Sequence, residues 1–203
     1  MTIHDPDYWQ SIYAAEEKPG WDLKGPSPLL AELLDLAAAL GLRPGPSFAV
    51  PGCGFGHDAA ELARRGFPTT GVDFAPAALQ GARARYGNVA TWSQADWMAP
   101  GGPVFHSLFD HTCFVAMAPE QRGAYVAACA AHLVSGGLWL GAFFHEVANP
   151  DGPPFAIAMA DLRALVEPRF AILHLDHATR SHPRRAGREF LMVATRRELP
   201  APA

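Results

Sequence analysis

Residues 50–74 read VPGCGFGHDAAELARRGFPTTGVDF. A short apolar run ends in a turn carrying Gly52, Gly54 and Gly56, a helix-forming stretch follows, and a second apolar run closes on Asp73. Strand, glycine turn, helix and acid-terminated strand make the βαβ unit on which nucleotide-bearing ligands sit. Glycine at 52 and 54 lets the backbone approach a ligand closely. Asp73, about 20 residues beyond the turn, stands where a carboxylate accepts hydrogen bonds from a ribose.

The spacing then bears on which ligand this is. A dinucleotide turn reads G-x-G-x-x-G from the strand end. Counted from Gly52, its last position is His57, too large for close helix–strand packing; counted from Gly54 the match ends at Ala59 but begins too late after the strand. Asp58 also puts a carboxylate into the first helical turn, where a pyrophosphate would lie. That is awkward beside a phosphate dianion and acceptable beside a ligand with an amino group and a sulfonium, although an acid there also stabilises a helix start in its own right. The residues favour an adenosyl ligand and leave a nicotinamide dinucleotide open.

Outward from this unit, the apolar pattern predicts strands over residues 47–51, 68–73, 88–92, 104–109, 137–144, 170–175 and 189–195. Helices are expected over 57–65, 76–86, 119–134 and 159–166, with another starting at Ser27-Pro28 and ending at Gly41. A short aromatic helix over 5–17 and a Pro/Gly-rich loop over 18–28 precede them. Alternation of this kind implies a mostly parallel sheet covered on both faces. The last two strands lack a helix between them and are expected to pair antiparallel. Asp96 beside Trp97 follows the third strand and offers an adenine ring a carboxylate for its amino group and an indole for its face. Asp110 ends the fourth strand, so Asp73, Asp96 and Asp110 converge on one crevice.

The 203 residues suit one domain, 49% hydrophobic and 18% charged, with a formal net charge of −4. That balance argues against nucleic acid as the main partner. Three cysteines, Cys53, Cys113 and Cys129, indicate neither a disulfide framework nor a metal site. No secretory signal or membrane span is visible, so a cytoplasmic protein with no membrane partner is the default, and a monomer fits the size.

VPGCGFGHD, GVDF, ADW, FDHTCF and PEQR before LVSGGLWLGAFF resemble the class I S-adenosylmethionine-dependent methyltransferases. More narrowly they resemble the thiopurine methyltransferase superfamily and its halide/thiol (thiocyanate) methyltransferase branch. WQSIYAAEEKPGWDLKGPSPLL, PDGPPFAI and SHPRRAGRE extend the likeness over nearly the whole chain. The resemblance implies a Rossmann-like, doubly wound seven-stranded sheet with an antiparallel last strand and an N-terminal helical lid, residues 1–28, over the cofactor. It implies S-adenosylmethionine as cofactor, S-adenosylhomocysteine as product and a small-molecule methyl acceptor. Gly52, Gly54, Asp58, Asp73, Phe74, Asp96, Trp97 and Asp110 would contact the cofactor, with Trp9 and Trp21 closing over it. The sequence departs from the branch in three places: Phe155 stands for its usual tyrosine, His106 for an aspartate, and Cys113-Phe114 for a pair of aromatics.

A thiol or halide acceptor needs little base catalysis, since a thiol ionises at about pH 8.5. A pocket of Phe114, Phe144 and Phe155 would suit it, with the loop over 149–154 as one wall. A hydroxyl or amine acceptor would need a base, for which His145, His111 and Glu146 are the candidates at the ends of the fourth and fifth strands. Arg184, Arg185 and Arg188 would attract an acidic acceptor. Methyl transfer to sulfur or halide leads; transfer to oxygen or nitrogen of a small aromatic metabolite and a nicotinamide-dependent oxidoreductase remain alternatives.

Overall fold

The computed structural model describes residues 6–15 and 19–198. Helix α1 spans Pro6–Ala14 and α2 Pro28–Ala39. The positions expected as helix at Asp5 and at residues 16–17, and the rest of the proposed lid at 1–4 and 18, lie outside the described residues. The order then runs β1 Phe48–Pro51, α3 His57–Arg64, β2 Thr69–Asp73, α4 Pro76–Tyr86, β3 Thr91–Gln94 and β4 Phe105–His111. It ends with α5 Arg122–Ala131, β5 Leu133–Phe144, α6 Met159–Val166, β6 Phe170–His177 and β7 Glu189–Arg196.

The seven strands form one sheet in the order β3-β2-β1-β4-β5-β7-β6. The first five are parallel, and β7 runs antiparallel to both its neighbours, β5 and β6. The strand order reverses between β1 and β4, and a crevice opens there at the carboxyl ends of the strands. Leu29, Leu33, Leu62 and Leu79 from α2, α3 and α4 pack on one face, and Tyr125, Val126, Leu162 and Val166 from α5 and α6 on the other. β5 is buried at every position from Gly137 to Phe144, which is why LWLGAFF is apolar without alternation. No helix among the described residues is long and apolar enough to cross a membrane.

Several elements differ from the sequence expectation, among them β5, which begins at Leu133 and not at 137, and β6, which runs on to His177. β3 lies at Thr91–Gln94, not 88–92. Gly87 closes α4 at φ 58, and the indole of Trp92 donates to its carbonyl at 2.7 Å, so the chain turns before it pairs. This edge strand needs no apolar run, and its Ser93 and Gln94 gave no signal. The expected helix over 119–134 begins as a 3-10 turn and stops at Ala131, because Leu133 already pairs with Phe105 across a register shift. β4 continues to His111, since buried polar partners let Asp110 and His111 stay in the strand.

Candidate active site

At the end of β1 the chain turns through Gly52 and Gly54, both at positive φ. A side chain at either would also collide: a Cβ at 52 would lie 2.7 Å from Cys113 Sγ, and one at 54 would lie 2.8 Å from the phenolic oxygen of Tyr13. The Gly54 N–H donates to one oxygen of Asp73 at 2.9 Å, and Ala75 N–H donates to the other at 2.9 Å. The carboxylate thus ties the turn to the end of β2. Burial pushes its pKa up against the lowering effect of these N–H groups.

The crevice holds a cavity of about 600 Å³. One end is formed by Gly52, Asp73, Phe74, Asp96 and Trp97. Asp96 is exposed and accepts from Met98 N–H at 2.8 Å. Trp97 is buried, its indole directed at Cys129 Sγ and its ring 4.3 Å from His132. Trp9, Tyr13 and Trp21 roof this end. Their rings meet edge to face, Trp9–Trp21 at 5.6 Å and Tyr13–Trp21 at 6.2 Å, and Tyr13 also packs on Phe55 at 5.2 Å. The roof is fastened by polar bonds: Ala77 N–H to Gln10 at 2.9 Å, His57 Nε2 with Asp22 at 2.9 Å, and Ser27 N–H to Asp58 at 2.7 Å.

The other end is mostly apolar, with Ala116, Met117, Phe144, Val147 and Pro154 in its wall, and Arg184, Arg185 and Arg188 at its side. Arg184 forks onto the carbonyls of Gly20 and Asp22, at 3.3 and 2.9 Å. Glu146 reaches the rim, where it is exposed.

Of the positions singled out from sequence, Trp9, Trp21, Gly52, Asp73, Phe74, Asp96, Trp97, Cys113, Phe144, Glu146, Arg184, Arg185, Arg188 and part of the loop over 149–154 border this cavity. The others are elsewhere. Gly54 sits behind the wall, bonded to Asp73. Asp58 turns away to hold Ser27 and His111. Asp110 is fully buried, accepting from Phe114 N–H at 3.2 Å and from the Tyr125 hydroxyl at 2.9 Å; burial pushes its pKa up to about 6. Phe114 is a core residue under the Arg122 guanidinium, and Phe155 is held by Val115 outside the wall. His111 lies beneath the floor among Asp58, Arg185 and Glu189. His145 faces a different, open pocket beside His177 and Arg122. Neither histidine reaches the cavity that Asp73 borders, because strand-end position does not fix on which face a side chain emerges. Tyr13 and Met117 line the site without having been anticipated; Tyr13 was legible as the i+4 partner of Trp9 on α1.

The acidic, glycine-lined end suits an adenosyl group: it presents carboxylates where a phosphate would need free N–H donors, and the N–H of Gly54 is already spent on Asp73. The profile of the thiopurine S-methyltransferase family matches residues 4–198. The chain is 25% identical over 197 residues to thiocyanate methyltransferase 1 of Arabidopsis thaliana, covering 90% of this chain and 82% of that protein. It is 30% identical over 186 residues to a thiopurine S-methyltransferase of Azotobacter vinelandii, covering 79% and 81%. Among solved structures, a Burkholderia thailandensis 1,6-didemethyltoxoflavin-N1-methyltransferase with bound S-adenosylhomocysteine superposes with a TM-score of 0.72 at 20% identity, over 97% of this chain and 88% of that one. The chain belongs to the thiopurine S-methyltransferase family and is an S-adenosylmethionine-dependent methyltransferase, not a nicotinamide-dependent oxidoreductase.

Proposed function

We propose that the enzyme methylates the sulfur of a small, largely apolar organic thiol. The observation that carries this reading is the acceptor end of the cavity. Its wall includes Met117, Phe144, Val147 and Pro154, neither histidine stands in it, and Glu146, the remaining candidate base, is exposed at the rim. A hydroxyl or amine would need a base at that point, whereas a thiol ionises at about pH 8.5 unaided. A bare halide would leave this apolar volume unfilled.

Bound S-adenosylmethionine would supply the activated methyl group on its sulfonium. Asp73 would accept hydrogen bonds from ribose hydroxyls and Asp96 from the adenine amino group, and Phe74 and Trp97 would hold the ring, a reading supported by all four bordering the cavity. Gly52 would let the chain pass close to the cofactor's amino-acid tail. Trp9, Tyr13 and Trp21 would exclude water from above and offer aromatic surface to a cation. The apolar wall orients the acceptor and strengthens every charge interaction by excluding solvent. The reading takes the enzyme as a cytoplasmic monomer.

Turnover with S-adenosylmethionine should be measured against a small aromatic thiol, hydrosulfide, iodide and the matching phenol. The thiol should give the highest kcat/KM. Preference for iodide would refute the organic acceptor, and preference for the phenol would refute sulfur.

A further inference from the structure

Arg185 joins the cavity wall, the roof and a buried ionisable cluster, and nothing above gives it a part in catalysis. It is 7% exposed. Its Nη2 donates to the Trp21 carbonyl at 2.9 Å, and its Nη1 meets His111 Nε2 at 2.7 Å and lies 3.5 Å from Glu189. A guanidinium offers donors only, so His111 Nε2 must be a bare acceptor. The ring proton then sits on Nδ1, 3.3 Å from Asp58 Oδ2. The other oxygen of Asp58 holds Ser27 N–H. A neutral His111 therefore lies between two anchors of the 19–27 segment, one at Trp21 and one at Ser27.

We propose that Arg185 is a positioning residue for cofactor capture, holding Trp21 over the cavity only while His111 is neutral, so that protonation of His111 frees the roof. This rests on reading the cavity as the cofactor's. The groups facing His111 are Asp58 from α3, Glu189 from β7 and Arg185 from the loop before it, with Asp110 adjacent on β4. A proton on Nε2 would set N–H against N–H at the Arg185 contact. The next acceptor in reach is Glu189, 3.8 Å away, which Arg185 now shares. Protonation thus breaks the Arg185–His111 contact, sets two cations side by side and makes Arg185 share Glu189 with His111, which weakens the seat from which Arg185 holds Trp21.

The charges around His111 act in the same direction. Burial lowers the His111 pKa, but hydrogen bonds to Asp58 and Glu189 outweigh it and hold the value above the ordinary 6.5, while the Arg185 charge works against them. The imidazole is therefore more basic with Arg185 withdrawn than in place. That difference is the thermodynamic link: acid favours the open roof, and a ligand needing the roof shut favours neutral His111.

The test is calorimetric binding of S-adenosylhomocysteine to the full chain between pH 8.5 and 6.0. Wild-type Kd should rise as pH falls, by up to about tenfold per pH unit once His111 titrates. His111→Gln should flatten that profile. Arg185→Lys, whose single ammonium cannot span Trp21 and His111 together, should weaken binding about tenfold at pH 8.5 with its urea midpoint recorded as the folding control. A His111→Gln profile with the wild-type slope, or a folded Arg185→Lys with wild-type Kd, overturns the proposal. If neither variant folds, the wild-type series decides alone: firm binding without pH dependence overturns it. Wild type that binds no S-adenosylhomocysteine at any pH overturns the cofactor reading, and this proposal with it.

Discussion

A methyl group at position 54 would meet two obstacles at once. The backbone is at φ +53, costing about 1–2 kcal/mol for an L side chain, and the new carbon would stand 2.8 Å from the Tyr13 hydroxyl. Gly54→Ala should therefore melt a few degrees lower and bind S-adenosylhomocysteine at least about tenfold more weakly by calorimetry, as Tyr13 is pushed out of the roof. Asp110 makes a prediction of the opposite kind. Burial raises its pKa to about 6, against the bonds from Phe114 and Tyr125. A carboxyl raised on folding contributes stability that is complete below its unfolded value near 3.8 and is lost as pH rises through about 6. Asp110→Asn has no such loss. In urea titrations the stability of wild type relative to the variant should fall by up to about 3 kcal/mol from pH 4 to pH 7. A constant difference would show that Asp110 is not titrating as described. Single residues were the least evenly legible scale. Asp73 and Gly52 could be placed from spacing because strand ends and turn glycines have few geometric options. Asp110, His111 and His145 could not, because the neighbours that decide whether a polar strand-end residue faces the crevice or the core come from distant segments: Tyr125 for Asp110, Arg185 and Glu189 for His111.

Among the elements, the roof is the one whose attachment can be loosened without touching the cavity chemistry. The Asp22 carboxylate pairs with His57 Nε2, whose Nδ1 meets the Tyr86 hydroxyl at 2.6 Å, so one bridge fixes the 19–27 segment to α3 and α4. Asp22→Ala removes that bridge but leaves the Trp9–Trp21 contact. Losing about 1 kcal/mol of closure should raise KM for S-adenosylmethionine about fivefold with kcat changed less than twofold. Steady-state kinetics would check the split, and an equal fall in kcat would place Asp22 in the chemical step. Helices opened by proline, such as α2 and α4, were readable to the residue at their starts because a capping oxygen or a fixed φ marks them locally. β3 was misplaced because it is an edge strand, whose boundary is set by the turn at Gly87 and not by an apolar pattern.

For the molecule as a whole, ligand binding and stability should rise together. At about 100 times Kd, S-adenosylhomocysteine should stabilise the fold by about 2.7 kcal/mol, a shift of about 5–10 °C for a chain of this size. NAD should shift it by less than 1 °C at equal concentration; a larger NAD shift would contradict the adenosyl reading of the Asp73 end. The sheet was legible from the repeat of strand and helix, and the antiparallel pairing of β6 with β7 from the missing crossover. That β7 inserts between β5 and β6 does not follow from local pattern, since it depends on Leu138–Phe144 needing cover on its open edge. This insertion orders events during synthesis. Phe143 and Trp139 sit on the strand to which β7 must be added, and among the described residues β6 pairs in the sheet with β7 alone. The long contacts from Glu32 to Thr179 and Arg180 are also late, since they wait for the loop between β6 and β7. A ribosome-tethered chain halted just before residue 189 should expose the open edge of β5 to protease and chaperone, and become resistant only after the eight residues of β7 have emerged.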